Sequence, residues 1–424
     1  MNTHAFSNKR SAVLAWVLLD WAASGFSAIS ITLLVAYFDR VVFIDGYHGL
    51  PAGVLWAWTL AIAMLLSAFL APVLSAWVDR KNAHQMAVVL SSAFGAAACM
   101  VLAMLPSSSR IGIPVAVILA TVSFDIAAIF TASLLPRLAH DENADKLSSA
   151  GFAAGYAGGA IALILATTIV AEHHVLGLSL SDAFRFAFAL MGVWWLGFTL
   201  PTAFVHMGNP TKVTHAGASG TELISFFKST FCRTGENKSM ASLGYLLLGV
   251  VTVLGAVQTA IPQFSNVAVE TFHLDASQLV RLVLLVQCVA LPGALVIGWL
   301  STTRGRHFAA KVCLAGWSSV FALTWFIHTQ TQLFVLAVLL ALVLGGIQSV
   351  LRAMLAVAAP DGHHAATFGL MQVGTKLTGF TASLVFGWVY AATGIAKAGL
   401  LVLLVQLIFG WWLLSKTKAV SRMA

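Results

Sequence analysis

The chain has 424 residues, 59% of them hydrophobic and only 9% charged, with a mean hydropathy of +0.91. So few polar side chains cannot cover a soluble globule, so the chain is an integral membrane protein rather than a soluble domain. The formal net charge of +8 does not indicate a nucleic-acid partner, because the basic residues are distributed as membrane topology requires.

A hydrocarbon core about 30 Å thick needs about 20 apolar residues per helix, and only helices and closed barrels satisfy their backbone there. Apolar runs of that length recur along the whole chain. Taken in order, they predict spans at 13–38, 53–77, 85–105, 112–134, 148–171, 184–205, 241–262, 278–300, 311–328, 333–355, 368–391 and 399–415. The expected fold is an all-α membrane protein with twelve transmembrane helices. The first run is long and lacks a small-residue cleavage site, so it reads as a retained span and not as a signal peptide. The stretch 206–238 is polar and basic, and it separates a six-helix half at 1–205 from another at 239–424.

With the N-terminus inside, sixteen Lys and Arg residues fall on the inner side and five on the outer, the latter being Arg40, Arg110, Arg185, Arg281 and Lys397. This is the positive-inside asymmetry, and it places both termini in the cytoplasm. Compact loops without long tails favour a bacterial inner membrane over an organelle, and a monomer is expected. Cys99, Cys232, Cys288 and Cys313 lie in spans or on the inner side, and none is spaced as a metal site. No cofactor is called for. No G-x-S-x-G, H-E-x-x-H or C-x-x-C is present, and no loop is long enough for a catalytic domain, so an enzyme is not expected.

Four formal charges fall clearly within the apolar spans: Asp20 in the first, Asp125 in the fourth, Arg352 in the tenth and Lys376 in the eleventh. An intramembrane charge costs about 2.5–3.5 kcal/mol on insertion scales, so such groups face protein or water and mark a function. Asp125, with Asp20, is the candidate for loading and releasing a proton; a permanent ion pair with Arg352 or Lys376 is the structural alternative. Lys376 lies too deep to snorkel, whereas Arg352 is near enough to the inner face to do so, and its fork suits a carboxylate or phosphate. Gln258, Thr259, Gln348 and Gln372, together with Gln287, either line a cavity or act as interhelical glue. The glycines at 151, 155, 158 and 159 read as close helix packing, and the pairs His173–His174 and His363–His364 as loop residues.

An internal repeat underlies the two halves. The turn after the second span reads Ser75-Ala-Trp-Val-Asp79-Arg80-Lys-Asn-Ala-His84, and that after the eighth reads Gly298-Trp-Leu-Ser-Thr302-Thr303-Arg304-Gly305-Arg306-His307, an offset of 298 − 75 = 223. Both resemble the G-x-x-x-D-R-x-G-R-R signature of the major facilitator superfamily. That resemblance implies two six-helix pseudo-repeats, a cavity lined by spans 1, 4, 7 and 10, and gating by Asp79, Arg80, Arg304 and Arg306. Asp79 is positioned to meet the positive end of the eleventh span.

Further stretches narrow the likeness: Asp20-Trp21-Ala22, the run 130–136 ending in Leu135-Pro136, Gly151-Phe152 with Gly155-Tyr156, Ala290-Leu-Pro292-Gly293-Ala294, Gly345-Gly346-Ile-Gln348 with Arg352 and Pro360, and Phe368-Gly369-Leu370 with Lys376 and Phe386-Gly387. Together these resemble the vacuole effluxer family of fungal vacuolar amino-acid permeases and their bacterial relatives. The resemblance implies outward movement of a small solute, amino acids first among the choices, and the intramembrane carboxylates Asp125 and Asp20 add the expectation that the movement is proton-coupled. Thr131 and Ala132, Leu254-Gly255-Ala256, and Leu351 and Ala353 depart from the family's pattern on the cavity helices. The competing readings are an exporter of amphiphilic or lipid-like compounds, which 13 Trp and 27 Phe would suit, and a membrane scaffold or sensor that carries nothing.

Overall fold

The computed structural model describes residues 3–48, 52–139, 141–207, 238–272, 274, 276–360, 363–393 and 395–417. Most of the expected linker 206–238 therefore lies outside the described residues, as does Cys232. Among the described residues the secondary structure is almost wholly helical. Twelve long helices run α1 Thr3–Ile29, α2 Ala52–Lys81, α3 His84–Met104, α4 Gly112–Leu138, α5 Asp141–Ala171, α6 Leu180–Phe204, α7 Lys238–Phe272, α8 Ala276–Arg304, α9 Arg306–Thr324, α10 Gln330–Ala358, α11 His364–Thr393 and α12 Ala396–Lys416. Among the described residues, ten are long and apolar enough to cross a bilayer by length and composition.

The ends differ from the expected spans because helices do not stop at the edge of the hydrocarbon. The 35 residues of α7 extend about 52 Å, well beyond the apolar core of a bilayer. Beyond Ile29 the first helix continues through two π-helical segments, Ser30–Leu34 and Phe38–Val42. Back-bonding hydroxyls accompany the widening: Ser30 Oγ donates to Ser27 O and Thr32 Oγ1 to Ala28 O. The start of α10 is held by a capping box, in which the Thr329 hydroxyl accepts from Gln332 N while the Gln332 side chain accepts from Thr329 N.

The chain divides into two compact units. The first comprises residues 1–71, 82–138 and 154–209; the second comprises 72–81, 139–153 and 210–424. The first break falls at Pro72 inside α2, where a missing backbone N–H weakens the helix. Four helix pairs recur at equivalent places in the two halves of the sequence: α1 with α4 and α6 and α3 with α4 and α6, then α7 with α10 and α12 and α9 with α10 and α12. Helix starts repeat at 364 − 141 = 223 and 306 − 84 = 222 residues. This recurrence is the structural form of the repeat in the sequence.

Within the first unit, Phe26, Phe188, Met191 and Trp195 are buried together. Trp16 is fully buried and donates its indole N–H to Thr131 O at 2.8 Å, so even this polar atom is satisfied. Gly158 admits α1 closely: a Cβ there would lie 2.7 Å from Trp21 O. This is the small-residue packing expected of helices in lipid.

Candidate functional site

The residues of interest separate by unit. In the first, Asp125 is 3% exposed in the middle of α4. Its neighbour Phe124 packs on Phe26 and Trp195. Asp20 is half-buried on α1. Beside it Trp21 stacks on Trp194 at 5.8 Å between centroids.

In the second unit, polar side chains that the sequence keeps far apart meet at three points. The end of α2 meets the start of α11: Asp79, 5% exposed, accepts the backbone N–H of Ala366 on Oδ2 at 2.7 Å. Ala366 is the third residue of α11, so its N–H has no partner inside the helix, and the carboxylate also sits against the positive end of the dipole. The end of α8 and the start of α9 meet the start of α5: Asp145, 4% exposed, accepts from Ser301 Oγ at 2.7 Å and from Arg306 Nε at 2.8 Å. Gly298 makes this approach possible, since a Cβ there would lie 2.0 Å from Ser149 Oγ.

The third point is Arg352 on α10, only 8% exposed. Its Nε donates to Ser148 Oγ at 3.0 Å and its Nη2 to Ser148 O at 2.9 Å. Its guanidinium lies 4.3 Å from the centroid of the Phe152 ring. Ser148 and Phe152 are four residues apart, so both lie on one face of α5. Ser148 Oγ in turn donates to Ser349 O at 2.9 Å, and the hydroxyls of Ser149 and Ser349 are 2.9 Å apart. A buried cation is thus held by directed hydrogen bonds and an aromatic face, which desolvation demands.

The other predicted residues are more dispersed. Thr259 is buried on α7 and donates to Gly379 O of α11 at 3.1 Å, whereas Gln258 beside it is exposed. Gln348 turns back onto Leu344 O of its own helix at 3.3 Å. Gln372 is buried and Lys376 half-buried on α11. Arg80 and Arg304 are exposed, and Arg304 lies 5.8 Å from the Phe308 ring. Both signature turns carry a left-handed residue at equivalent places, Asn82 at φ +52° and Gly305 at φ +89°; 305 − 82 = 223. Asn tolerates positive φ better than most residues with a side chain, whereas Gly305, with ψ 152°, lies in a region open essentially to glycine alone. The histidine that follows each turn is buried at His84 and half-buried at His307. His84 Nδ1 is 2.9 Å from Ser133 Oγ. His307 is held below its ordinary pKa by burial first, then by Lys311 and Arg306.

Sequence reasoning missed Asp145, Ser148, Ser149, Phe152, Ser301 and Ser349. Among the described residues no cluster of three or more His, Cys, Asp and Glu could hold a metal.

The fold matches solved major facilitator structures. The fucose transporter FucP in its outward conformation superposes with a TM-score of 0.74 at 14% identity, covering 97% of this chain and 99% of that one. The proton:xylose symporter XylE superposes with a TM-score of 0.72 at 13% identity, covering 97% and 96%. In sequence, the uncharacterized MFS-type transporter YxiO of Bacillus subtilis is 23% identical over 400 residues, 93% of this chain and 92% of that protein. Autophagy-related protein 22 of Cryptococcus neoformans is 26% identical over 280 residues, 62% of this chain but only 48% of the fungal protein. The model of the family described as "Vacuole effluxer Atg22 like" matches residues 54–422, and the chain therefore belongs to that family of major facilitator transporters.

Proposed function

We propose that this multi-pass membrane protein is a proton-coupled secondary transporter that exports small solutes bearing a carboxylate, amino acids first among them, by alternating access. Asp125 carries the reading. A carboxylic acid 3% exposed in the middle of an apolar helix is a residue type that hydrocarbon excludes unless it has a task, and we assign it the coupling task. Asp20 is the second acid. Arg352 and Lys376 supply the cations for the solute's anionic end, with Gln258, Thr259, Gln348 and Gln372 as polar lining. The acids stand on helices of the first sequence half and the bases on helices of the second, so a proton and an anion would be read by different halves.

The contacts of Asp79, and of Asp145 with Arg306, join ends of α2 and α5 to helices of the other sequence half. This supports reading them as gates on the side we assign to the cytoplasm, with both termini there and the protein in a bacterial inner membrane. The test is flux of radiolabelled amino acids in proteoliposomes with and without an imposed pH gradient. A gradient-driven flux that Asp125→Asn uncouples is the expected result. Flux indifferent to the gradient in both proteins would remove the proton from the mechanism. A second reading, export of amphiphiles, draws on the stack of Trp21, Trp194 and Phe198; stabilisation by hydrophobic cations and not by amino acids would favour it.

A further inference from the structure

We propose that Arg352 is a carboxylate site that α5 itself fills in this structure, and that solute and α5 take turns on it. The inference rests on the transport reading above and adds how the site is regulated. The two donors involved, Nε–H and Nη2–H, form one edge of the guanidinium, the edge that clasps a carboxylate with two parallel hydrogen bonds. Here that edge meets two oxygens of a single residue, the Ser148 hydroxyl at 3.0 Å and the Ser148 carbonyl at 2.9 Å. Ser148 therefore stands where a carboxylate would stand, with neutral oxygens in place of a charged pair. The Ser148 hydroxyl gives its own proton to Ser349 O, which leaves its lone pairs for the arginine. Phe152, one turn on, covers the face of the guanidinium at 4.3 Å.

A solute carboxylate brings to the same two bonds a full negative charge that the serine oxygens lack, so it is the stronger partner once it can reach the edge. It reaches the edge only when the start of α5 leaves α10, and that movement also parts Ser149 from Ser349. Binding an anion at Arg352 and opening this contact are thus one event. Closing returns Ser148 and Phe152 to the guanidinium and expels the anion. Lys376 is the next cation available to it. It is 12 residues into α11, whereas Arg352 is six residues from the end of α10, which puts the lysine about 9 Å further along.

The experiment uses the full chain in nanodiscs with the four native cysteines replaced and Ser349, which is buried, changed to Cys as a reporter. Maleimide labelling is followed with each of the L-amino acids and with the corresponding amino-acid amides, which lack the carboxylate; flux is measured in parallel. Expected is at least one amino acid that raises labelling about fivefold or more, the lower end of ordinary coupling between ligands, while its amide does not. Arg352→Gln should label fast and ignore the amino acid. Arg352→Lys, which keeps the charge without the fork, should respond weakly. Phe152→Leu should lower the amino-acid concentration required. An amide as effective as the acid, or a response that survives in Arg352→Gln, overturns the exchange. An amino acid that is carried yet leaves the reporter unchanged overturns it too and leaves the transport reading standing. If no amino acid is carried or opens the reporter, both fall.

Discussion

Asp79 Oδ2 accepts the backbone N–H of Ala366 at 2.7 Å, joining residues 287 apart in sequence. The bond is charge-assisted, buried and aligned with a helix dipole, so its parts can be separated by substitution. A hydrogen bond to a charged group is worth about 1.5–3 kcal/mol, and a carboxylate at a helix N-terminus about 0.3–1 kcal/mol of that. Asp79→Ala should cost about 2 kcal/mol and Asp79→Asn, which keeps an acceptor, about half as much. Thermal unfolding of the purified protein should rank wild type above Asn above Ala; equal losses for the two variants would mean that the charge, not the bond, stabilises the contact.

Gly298 and Ser149 offer a second test, because the clash at position 298 is steric and local. A Cβ at 298 would lie 2.0 Å from Ser149 Oγ and 2.4 Å from Ser149 Cβ, closer than any relaxed contact. Gly298→Ala should therefore destabilise by about 1–3 kcal/mol, the ordinary cost of overpacking. Ser149→Ala in the same chain relieves the hydroxyl but not the Cβ, so it should recover only part of the loss. Ser149→Gly should recover more, and the double-mutant cycle should show a coupling of about 1 kcal/mol or larger. Additive losses would place the clash elsewhere.

The helices, their order and the repeat are legible in the sequence because hydrocarbon demands long apolar runs and because the signature turns recur at one spacing. Asp79 is placeable from the same reasoning, as an acid leaving one helix where another begins. Ser148, Ser149 and Ser349 are not placeable this way. They are small residues in small-residue helices, and their partners lie about 200 positions away, a pairing that no periodicity records. Asp145 was closer to reach. If the end of α2 meets the start of α11, the repeat requires the end of α8 to meet the start of α5, and Asp145 and Ser301 lie at that junction. The charge has changed sides: the acid belongs to the α2 turn in one contact and to α5 in the other. The two π segments of α1 were invisible for a different reason, since one extra residue in a helical turn leaves hydropathy unaltered.

His307 should make stability depend on pH. Its folded pKa lies below the usual 6.5, chiefly through burial and then through Lys311 and Arg306. Above pH 6.5 the folded and unfolded chains both hold it neutral and its effect is absent. As pH falls from there toward the lower folded value, the unfolded chain takes up the proton first, so the folded state loses stability across that window. His307→Gln should flatten the decline in unfolding temperature as the pH falls below 6.5. An unchanged pH profile in the variant would assign the titration to another group.

The Asp145–Arg306 pair is asymmetric, and the asymmetry fixes the order of its variants. The Asp145 side chain is 5% exposed and that of Arg306 21%. Removing the arginine leaves a carboxylate buried with Ser301 as its remaining donor here, whereas removing the acid's charge leaves an arginine that can turn toward water. Breaking a buried pair from the side that strands a charge costs about 3–5 kcal/mol, and the partial exposure of Arg306 lowers that to about 2–3 kcal/mol. Asp145→Asn should cost about 1 kcal/mol, because the amide oxygen still accepts from Ser301. Arg306→Lys should fall between, keeping the charge but losing the directed Nε bond. The double variant Asp145→Asn with Arg306→Ala should be no less stable than Arg306→Ala alone, since no charge is then stranded. Thermal unfolding of the four proteins decides the matter: a double variant well below both singles would mean that the residues stabilise their helices separately and not as a pair.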